Sequence, residues 1–239
     1  MLNNKESGSL KERLTIILAE PNPVTRCGLR QAIQLLPRRV KLIGETGQLS
    51  EVPELIIQYQ PDILIVELIG NGDSVLGVLN TISDYIRYWP HIPVVVCTAL
   101  QHTHLFQLLR AINVRGIYLK QEPIEILLRC IERVSNGFYE FSPMVSRALP
   151  EVVLTARFTL TKKELEVLML LFTGKKVTAI AKLLNRDIRT VSTHKRSAMR
   201  KVGFKSDSEM FANSRWMRLT PHDRKYSIPL WQEENCHEK

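Results

Sequence analysis

Short apolar runs rich in β-branched residues alternate with longer helix-patterned segments through the first 140 residues, and this alternation is the strongest constraint on the fold. The run 63–66 reads Ile-Leu-Ile-Val, which is typical of a strand buried on both faces by helices. Five such units predict a doubly wound parallel sheet. The predicted strands are 14–19, 40–45, 63–68, 94–98 and 116–119, and the predicted helices are 24–36, 51–59, 75–89, 105–112 and 124–135.

Polar side chains follow four of the predicted strands at their carboxyl ends. In chain order they are Glu20, Glu67, Thr98 and Lys120, and Pro21 stands next to Glu20. Because a doubly wound sheet gathers its ligand chemistry at this edge, we expect the five residues to meet at one crevice.

Residues 161–202 have the signals of a helix-turn-helix. Thr161 and Glu164 form a capping box before an apolar helix, and Gly174 is placed to end that helix. A short helix is predicted from Thr178 to residue 184, followed by a three-residue turn. Asp187 is predicted to cap a third helix that runs to about residue 202, with inward positions Ile188, Val191, Ala198, Met199 and Val202.

The positive charge lies in the same part of the chain. Residues 1–140 hold 14 Lys and Arg against 14 Asp and Glu, so the remaining residues account for the whole net charge of +9. Residues 155–219 alone hold 15 basic and 5 acidic side chains. A basic helix-turn-helix behind a neutral domain predicts binding to double-stranded DNA.

The third helix and its surroundings resemble the LuxR-type (NarL/FixJ) DNA-binding domain. The similarity lies in Leu-Thr-Lys-Lys-Glu-Leu at 160–165, Thr-Val-Ser-Thr-His at 190–194 and Lys-Val-Gly at 201–203. Within that family, 178–186 and 195–199 are most similar to the RcsB-like capsule regulators and their auxiliary partners. The resemblance implies a four-helix domain whose last helix, about 208–217, supplies a dimer contact. It also implies base contacts by Ser192, Thr193 and Arg196, and phosphate contacts mainly by Arg189, Thr190, His194 and Lys195; Arg200 is a further predicted DNA contact.

The strand-end residues resemble the active site of two-component receiver domains, over about residues 13–138. That family has two acids after its first strand, a phosphorylated aspartate after the third, Ser or Thr after the fourth and Lys after the fifth. Thr98 and Lys120 fit the pattern. Pro21 supplies no carboxylate for Mg²⁺, and Glu67 is one methylene longer than the phosphorylated aspartate. The resemblance therefore implies a flavodoxin-like (βα)5 receiver fold with a degenerate phosphorylation pocket.

Three interpretations of Glu20, Glu67 and Lys120 stay open at this point. They form an ordinary structural ion pair, or Glu67 pairs with Lys120 and holds an active-like state without phosphate, or the pocket retains some metal or phosphate binding. The surface that such receivers use for dimerisation includes His102, His104, Leu105, Phe106, Leu108 and Leu109. The His102 and His104 pair lacks a third ligand in the sequence, so surface residues are expected in place of a metal or proton sensor.

The expected organisation is a receiver-like domain at 13–138, a linker at 139–156, the DNA-binding domain at 157–219 and a tail at 220–239. No apolar run in the sequence reaches the roughly 18 residues of a membrane span, and the first residues lack a signal-peptide core, so a cytoplasmic protein is expected. The four cysteines are far apart and are expected to be free thiols. No metal, cofactor or enzymatic activity is predicted.

The leading functional hypothesis is a transcription regulator that acts without aspartate phosphorylation, as a homodimer or as a heterodimer with an RcsB-like regulator. RNA polymerase is a further candidate partner. The alternative is an interaction protein that sequesters or modulates a related regulator with little DNA binding of its own. An ordinary phosphorylated response regulator is the third hypothesis, against which Glu67 argues.

Overall fold

The computed structural model describes residues 13–35, 40–70, 72–149 and 159–218. Its first part contains one parallel sheet of six strands in the order β2-β1-β3-β4-β5-β6, flanked by helices. The strands are β1 (Leu14–Ala19), β2 (Val40–Thr46), β3 (Ile63–Val66), β4 (Val94–Thr98), β5 (Gly116–Leu119) and β6 (Glu140–Phe141). The helices are α1 (Pro23–Gln34), α2 (Val52–Tyr59), α3 (Val75–Tyr88), α4 (Thr103–Ala111), α5 (Ile124–Ser135) and α6 (Pro143–Ala148). This is the predicted flavodoxin-like architecture.

The central strands are buried on both faces, as their sequence predicts. All four residues of β3 and all five of β4 are buried, whereas the edge strand β2 is mostly half-buried. Alternate residues point to opposite sides, so Leu64 and Val96 join one apolar cluster while Ile65 and Val95 join the other. The strands therefore form a rigid frame whose carboxyl ends are held at one edge.

Residues 140–148 belong to the sheet domain, although they were expected to begin the linker. Strand β6 pairs in parallel with β5, and the Ser142 amide donates to the Ile117 carbonyl at 2.9 Å. Helix α6, which packs against α4 and β5, buries Val145 completely. This short helix is thus docked against the sheet domain. The rest of the expected linker, residues 150–156, and the expected tail, residues 220–239, lie outside the described residues.

Four helices lie within residues 159–218, the described C-terminal range: α7 (Lys162–Phe172), α8 (Val177–Leu183), α9 (Ile188–Val202) and α10 (Asp207–Met217). The predicted capping box is present, with the Thr161 hydroxyl accepting from the Glu164 amide and the Glu164 carboxylate accepting from the Thr161 amide. Gly174 and Gly203 both have positive φ, of 87° and 89°, directly after α7 and α9. The predicted start of α8 at Thr178 is one residue late, because Val177 already lies in the helix.

The prediction that Ile188 points inward is wrong. Asp187 caps α9 as predicted, accepting from the Arg189 amide at 2.7 Å, and Val191, Ala198, Met199 and Val202 are buried. Ile188, however, is 50% exposed. It shares the helical period of the buried residues, but it is the first residue of the helix and lies beyond the neighbouring helices that cover the later turns.

Helix α4 is covered on both sides, which differs from its expected role as an open dimerisation surface. Leu105, Phe106, Leu108 and Leu109 are all at most 2% exposed, and Gln107 and Arg110 are also buried. Contacts with α9 and α6 cover the part of α4 that faces away from the sheet. In this conformation the chain's own C-terminal helices occupy the face that the sequence assigned to a partner.

Candidate functional site

The carboxyl ends of β1, β3, β4 and β5 bring the predicted pocket residues together. The Lys120 ammonium lies 2.6 Å from Glu20 Oε2 and also contacts Glu67 Oε2. Both carboxylates are almost fully buried, and Thr98 is completely buried. The second oxygen of Glu20 accepts from the Asn22 amide at 2.9 Å, and that of Glu67 accepts from the amides of Leu68 and Ile69. Every carboxylate oxygen of the cluster therefore already has a donor.

The cluster does not fit a Mg²⁺ ion, which the receiver resemblance would imply. A Mg²⁺ site needs carboxylate oxygens free to coordinate the metal at short distances. Here Pro21 offers none, and the Lys120 ammonium occupies the position between the carboxylates of Glu20 and Glu67. Burial by itself would lower the pKa of Lys120, but the negative charges of Glu67 and Glu20 outweigh this and raise it. The lysine therefore stays cationic and offsets one of the two carboxylate charges in the pocket.

The outer face of α9 presents the predicted DNA-contacting residues to solvent. Arg189, Thr193, Arg196 and Arg200 are all exposed and recur at the spacing of one helical face. Thr190 is exposed as well, while Ser192 and His194 are half-buried at the edges of this face. The opposite face packs against α7 and α8. The arrangement is a basic, solvent-facing helix held by two supporting helices, as in a helix-turn-helix that enters the major groove.

Lys195 differs from the other predicted contacts because it is already paired. Its ammonium contacts the Asp207 carboxylate at the start of α10, and only 15% of its side chain is exposed, against 53% for Asp207. A phosphate that binds Lys195 must therefore compete with Asp207. Sequence reasoning missed this pair because 12 residues separate the partners and only the packing of α10 beside α9 joins them.

A buried carboxylate fastens α7 to the recognition helix α9. Glu164 accepts from the Ser197 hydroxyl and the Lys201 ammonium, each at 2.6 Å, and from the Thr161 amide at 2.7 Å. Burial would raise the pKa of Glu164, but these donors, Lys201 first, lower it to about 2. Lys201 thus forms an ion pair inside the domain, with only 19% of its side chain exposed.

A second group of contacts, which sequence reasoning missed, joins α4 to the DNA-binding domain. His104 Nε2 lies 3.0 Å from Glu209 Oε1, and the imidazole stacks on Phe204 with ring centroids 4.7 Å apart. The Gln107 side chain packs on Gly203, where an added Cβ would lie 2.9 Å from its Nε2. The expectation that His104 is an ordinary surface residue is therefore wrong. The signal in the sequence was that α4 is apolar on both faces, which requires two covering partners.

Within the described ranges, no three His, Cys, Asp or Glu side chains are arranged to hold a metal ion. The part of the chain that the structure describes also contains no helix long and apolar enough to cross a membrane.

Comparison with known proteins agrees with this geometry. Residues 158–212 match the model of the luxR family of bacterial regulatory proteins. The chain is 28% identical over 218 residues to the transcriptional regulatory protein RcsB of Salmonella typhi, covering 88% of this chain and 98% of that protein. It is also 28% identical over 210 residues to the oxygen regulatory protein NreC of Staphylococcus aureus, covering 82% and 94% respectively.

Solved structures of RcsB extend the similarity to the fold. A complex of the two-component response regulator RcsB with DNA aligns with a TM-score of 0.55 at 27% identity, covering 84% of this chain and 96% of that one. The isolated receiver domain of RcsB from Salmonella enterica serovar Typhimurium aligns with a TM-score of 0.54 at 21% identity, covering 58% and 99%, and supports the fold alone.

Proposed function

We propose that the chain is a DNA-binding transcription regulator that binds double-stranded DNA through α9 without phosphorylation of an aspartate. Its similarity to the luxR family model and to RcsB supports this proposal. The observation on which this rests is the capped, basic recognition helix whose arginines are open to solvent. We also propose that the protein has no enzymatic activity. Its proposed location is the cytoplasm, because promoter DNA is found there. The proposal keeps two domains and assigns residues 140–148 to the receiver-like one, because β6 extends its sheet and α6 packs against β5 and α4.

Each predicted DNA contact has a place in this proposal. Ser192, Thr193 and Arg196 face base edges in the major groove, where arginine pairs with guanine through two hydrogen bonds. The remaining contacts lie along the same helix and hold phosphates, which fixes the register of the domain on DNA; they are Arg189, Thr190, His194, Lys195 and Arg200. On binding, a phosphate replaces Asp207 as the partner of Lys195, so this contact contributes less affinity than a free lysine would.

Independence from phosphorylation is supported by the state of the pocket. Glu67 has both oxygens engaged, one by backbone amides and one by Lys120. A phosphoryl group arriving there would meet a neighbouring buried carboxylate, Glu20, with no metal to offset the charge. The ion pair of Lys120 with Glu67 therefore takes the structural place of the phosphorylated state, and we propose that it holds the domain in one permanent conformation.

Dimerisation is part of the proposal, either with a second copy or with an RcsB-like regulator. RcsB itself has been solved as two dimers bound to two parallel DNAs. Here the α4 face is covered by the DNA-binding domain of the same chain, so a dimer that uses α4 requires the two domains to separate. RNA polymerase remains a candidate partner once the dimer is on a promoter.

Fluorescence anisotropy on a panel of promoter fragments tests the proposal. The full chain is titrated at two salt concentrations, alone and with an RcsB-type partner. Specific binding by the chain alone supports a self-sufficient regulator, and specific binding only with the partner supports an auxiliary subunit. No DNA binding in either case contradicts the proposal.

The pairing of Lys195 with Asp207 and the docking of α10 on α4 favour a second candidate function. In it, the chain modulates a related regulator by protein contact and binds DNA weakly. That function predicts that the partner loses DNA affinity when this chain is added, whereas an auxiliary DNA-binding subunit predicts a gain.

A further inference from the structure

One stripe along the exposed face of α9 contains a single uncharged residue, Thr193, among three arginines. Arg189, Thr193, Arg196 and Arg200 follow one another at intervals of four, three and four residues, so they form a single stripe along α9. All four are exposed. Thr193 is the shortest of them, and it lies within one turn of both Arg189 and Arg196. The backbone approaches a docked surface most closely at such a short side chain.

The hydroxyl of Thr193 is already committed to the helix. It donates to the Arg189 carbonyl at 2.9 Å, four residues earlier in the chain. Its proton is therefore not available to a base acceptor such as guanine O6 or N7. What Thr193 still offers is its methyl group, together with the lone pairs of the same oxygen. The side chains of Asp187 and Lys195 also bind partners within the protein. Unlike Thr193, neither of them has a methyl group that could contact a base.

An exposed methyl group in the major groove has one specific counterpart on DNA. Thymine is the only standard base with a methyl group on its major-groove edge, and a threonine methyl is one of the apolar groups that contacts it. A contact of two methyl groups discriminates thymine from cytosine without any hydrogen bond. This methyl contact can form while the hydrogen bond to the Arg189 carbonyl keeps the Thr193 side chain in one orientation.

We propose that Thr193 is a specificity-determining residue that selects thymine through contact between its methyl group and the 5-methyl group of the base. The proposal rests on the DNA binding proposed above and adds the base that one position of the site reads. The arginines on either side of Thr193 hold phosphates or guanines, and Thr193 sets the identity of the base between them.

Uracil-containing DNA isolates this contact, because uracil lacks only the methyl group of thymine. Duplexes are enriched by the wild-type chain from a random pool and then amplified with either thymidine or deoxyuridine triphosphate. Affinities of the full chain for both products are measured by anisotropy for the wild type, Thr193→Ser and Thr193→Val. Serine keeps the hydroxyl and deletes the methyl, whereas valine keeps the methyl and deletes the hydroxyl. Thr173→Ser is the matched control, because Thr173 is an exposed threonine outside the proposed DNA contacts whose hydroxyl also donates to a backbone carbonyl, that of Leu170.

The wild type is expected to bind the thymine duplex more tightly than the uracil duplex. Thr193→Ser should reduce that ratio by about fourfold for each half-site, the value of one buried methyl group. Thr193→Val and Thr173→Ser should keep the ratio of thymine to uracil affinity that the wild type shows. Circular dichroism of each variant verifies that α9 is intact.

An unchanged ratio in Thr193→Ser overturns the inference and leaves the proposed function standing. Loss of affinity in Thr193→Val with retention in Thr193→Ser also overturns it, because the hydroxyl oxygen would then be the reading group. Failure of the wild-type chain to enrich or bind any duplex overturns the inference and the proposed function together.

Discussion

At the scale of single residues, one methylene and one missing carboxylate change what the strand-end pocket can do. Glu67 carries its charge far enough from the backbone to contact Lys120, and Pro21 leaves the metal site short of an acid. The result is a cluster in which one ammonium contacts two buried carboxylates and offsets one of their two charges. Single residues also determine how tightly the domain binds DNA. An arginine in the exposed stripe and Lys195, which is already paired with Asp207, contribute different amounts of binding free energy.

Arg196→Ala and Lys195→Ala are expected to weaken DNA binding in different ways. Arg196→Ala should cost about 1–3 kcal/mol on the preferred site and relax sequence preference, because a base contact is lost. Lys195→Ala should weaken binding to all sequences similarly and lower the salt dependence. Both are measured by anisotropy on specific and random DNA at several salt concentrations. Equal losses on both DNAs for Arg196→Ala would contradict its role.

Glu164→Gln should destabilise the DNA-binding domain. The pKa of Glu164 is lowered to about 2 by Lys201, Ser197 and Thr161, so its ionised form stabilises the fold by roughly 2–3 kcal/mol at neutral pH. Because the pKa is lower in the folded state, this stability is present above about pH 5 and is lost as the pH falls towards 2. Urea unfolding of the full chain, followed by circular dichroism at pH 7 and pH 3, measures both effects.

The control for this variant is Glu166→Gln, which removes a carboxylate whose pair with Lys163 is largely solvated. It should change the unfolding free energy by less than about 0.5 kcal/mol. Similar losses for the two variants would show that the buried network of Glu164 adds nothing beyond a surface ion pair.

At the scale of elements, local signals predicted most of the fold, and the failures lie where distant segments decide. Uninterrupted apolar runs predicted β1, β4 and β5 to the residue, and the capping residues Thr161 and Asp187 predicted the starts of α7 and α9. Strand β6 was not predicted, because a strand of two residues is too short to show the alternation of apolar and polar residues. Helix α4 was predicted as a helix, but the positions of its apolar residues do not identify the segment that covers its second face.

The pocket was predicted more fully than the interface between the domains. Glu20, Glu67, Thr98 and Lys120 all follow strands, and parallel strands end at one edge, so topology alone brings them together. His104 and Glu209 are 105 residues apart, and no periodicity relates them.

Gly203→Ala should disturb the contact of α9 with α4. Gly203 has φ of 89°, and an added Cβ would lie 2.9 Å from Gln107, so the variant should lose about 1–3 kcal/mol of stability. Gly174→Ala is the matched control, because it has a similar φ of 87° but its Cβ would meet only the flexible end of Arg218. Thermal unfolding compares them. If Gln107→Ala relieves no part of the Gly203→Ala loss, the packing of these two residues is not responsible.

At the scale of the whole molecule, the DNA-binding domain and the receiver-like domain share an interface made by α4, α9 and α10. The amide of Leu160 donates to the Ala111 carbonyl at 2.8 Å, which ties the start of the second domain directly to the end of α4. His104, Phe204 and Glu209 add a stacked and charged contact. The exposed stripe of α9 faces away from this interface, so the domains can stay docked while its arginines remain open to solvent.

Glu209→Gln should loosen this docking, because it removes the charge that faces His104 and leaves one acceptor oxygen where His104 and the Lys205 amide now use two. Hydrogen exchange at residues 105–111 should rise several-fold, since exchange reports local opening. Glu125→Gln, an exposed change of the same kind on α5, should leave those residues unchanged. Equal exchange in both variants would mean that the Glu209 contact does not stabilise the docked arrangement.

The most direct measurement is the DNA affinity of the full chain before and after incubation with acetyl phosphate and Mg²⁺, with incorporated phosphate read by intact mass. A phosphorylatable RcsB-type regulator in the same assay shows that the donor is active. We predict specific DNA binding with the same affinity in both samples and no added mass, because Lys120 and Glu67 are already paired. Phosphate incorporation accompanied by tighter DNA binding would contradict the account.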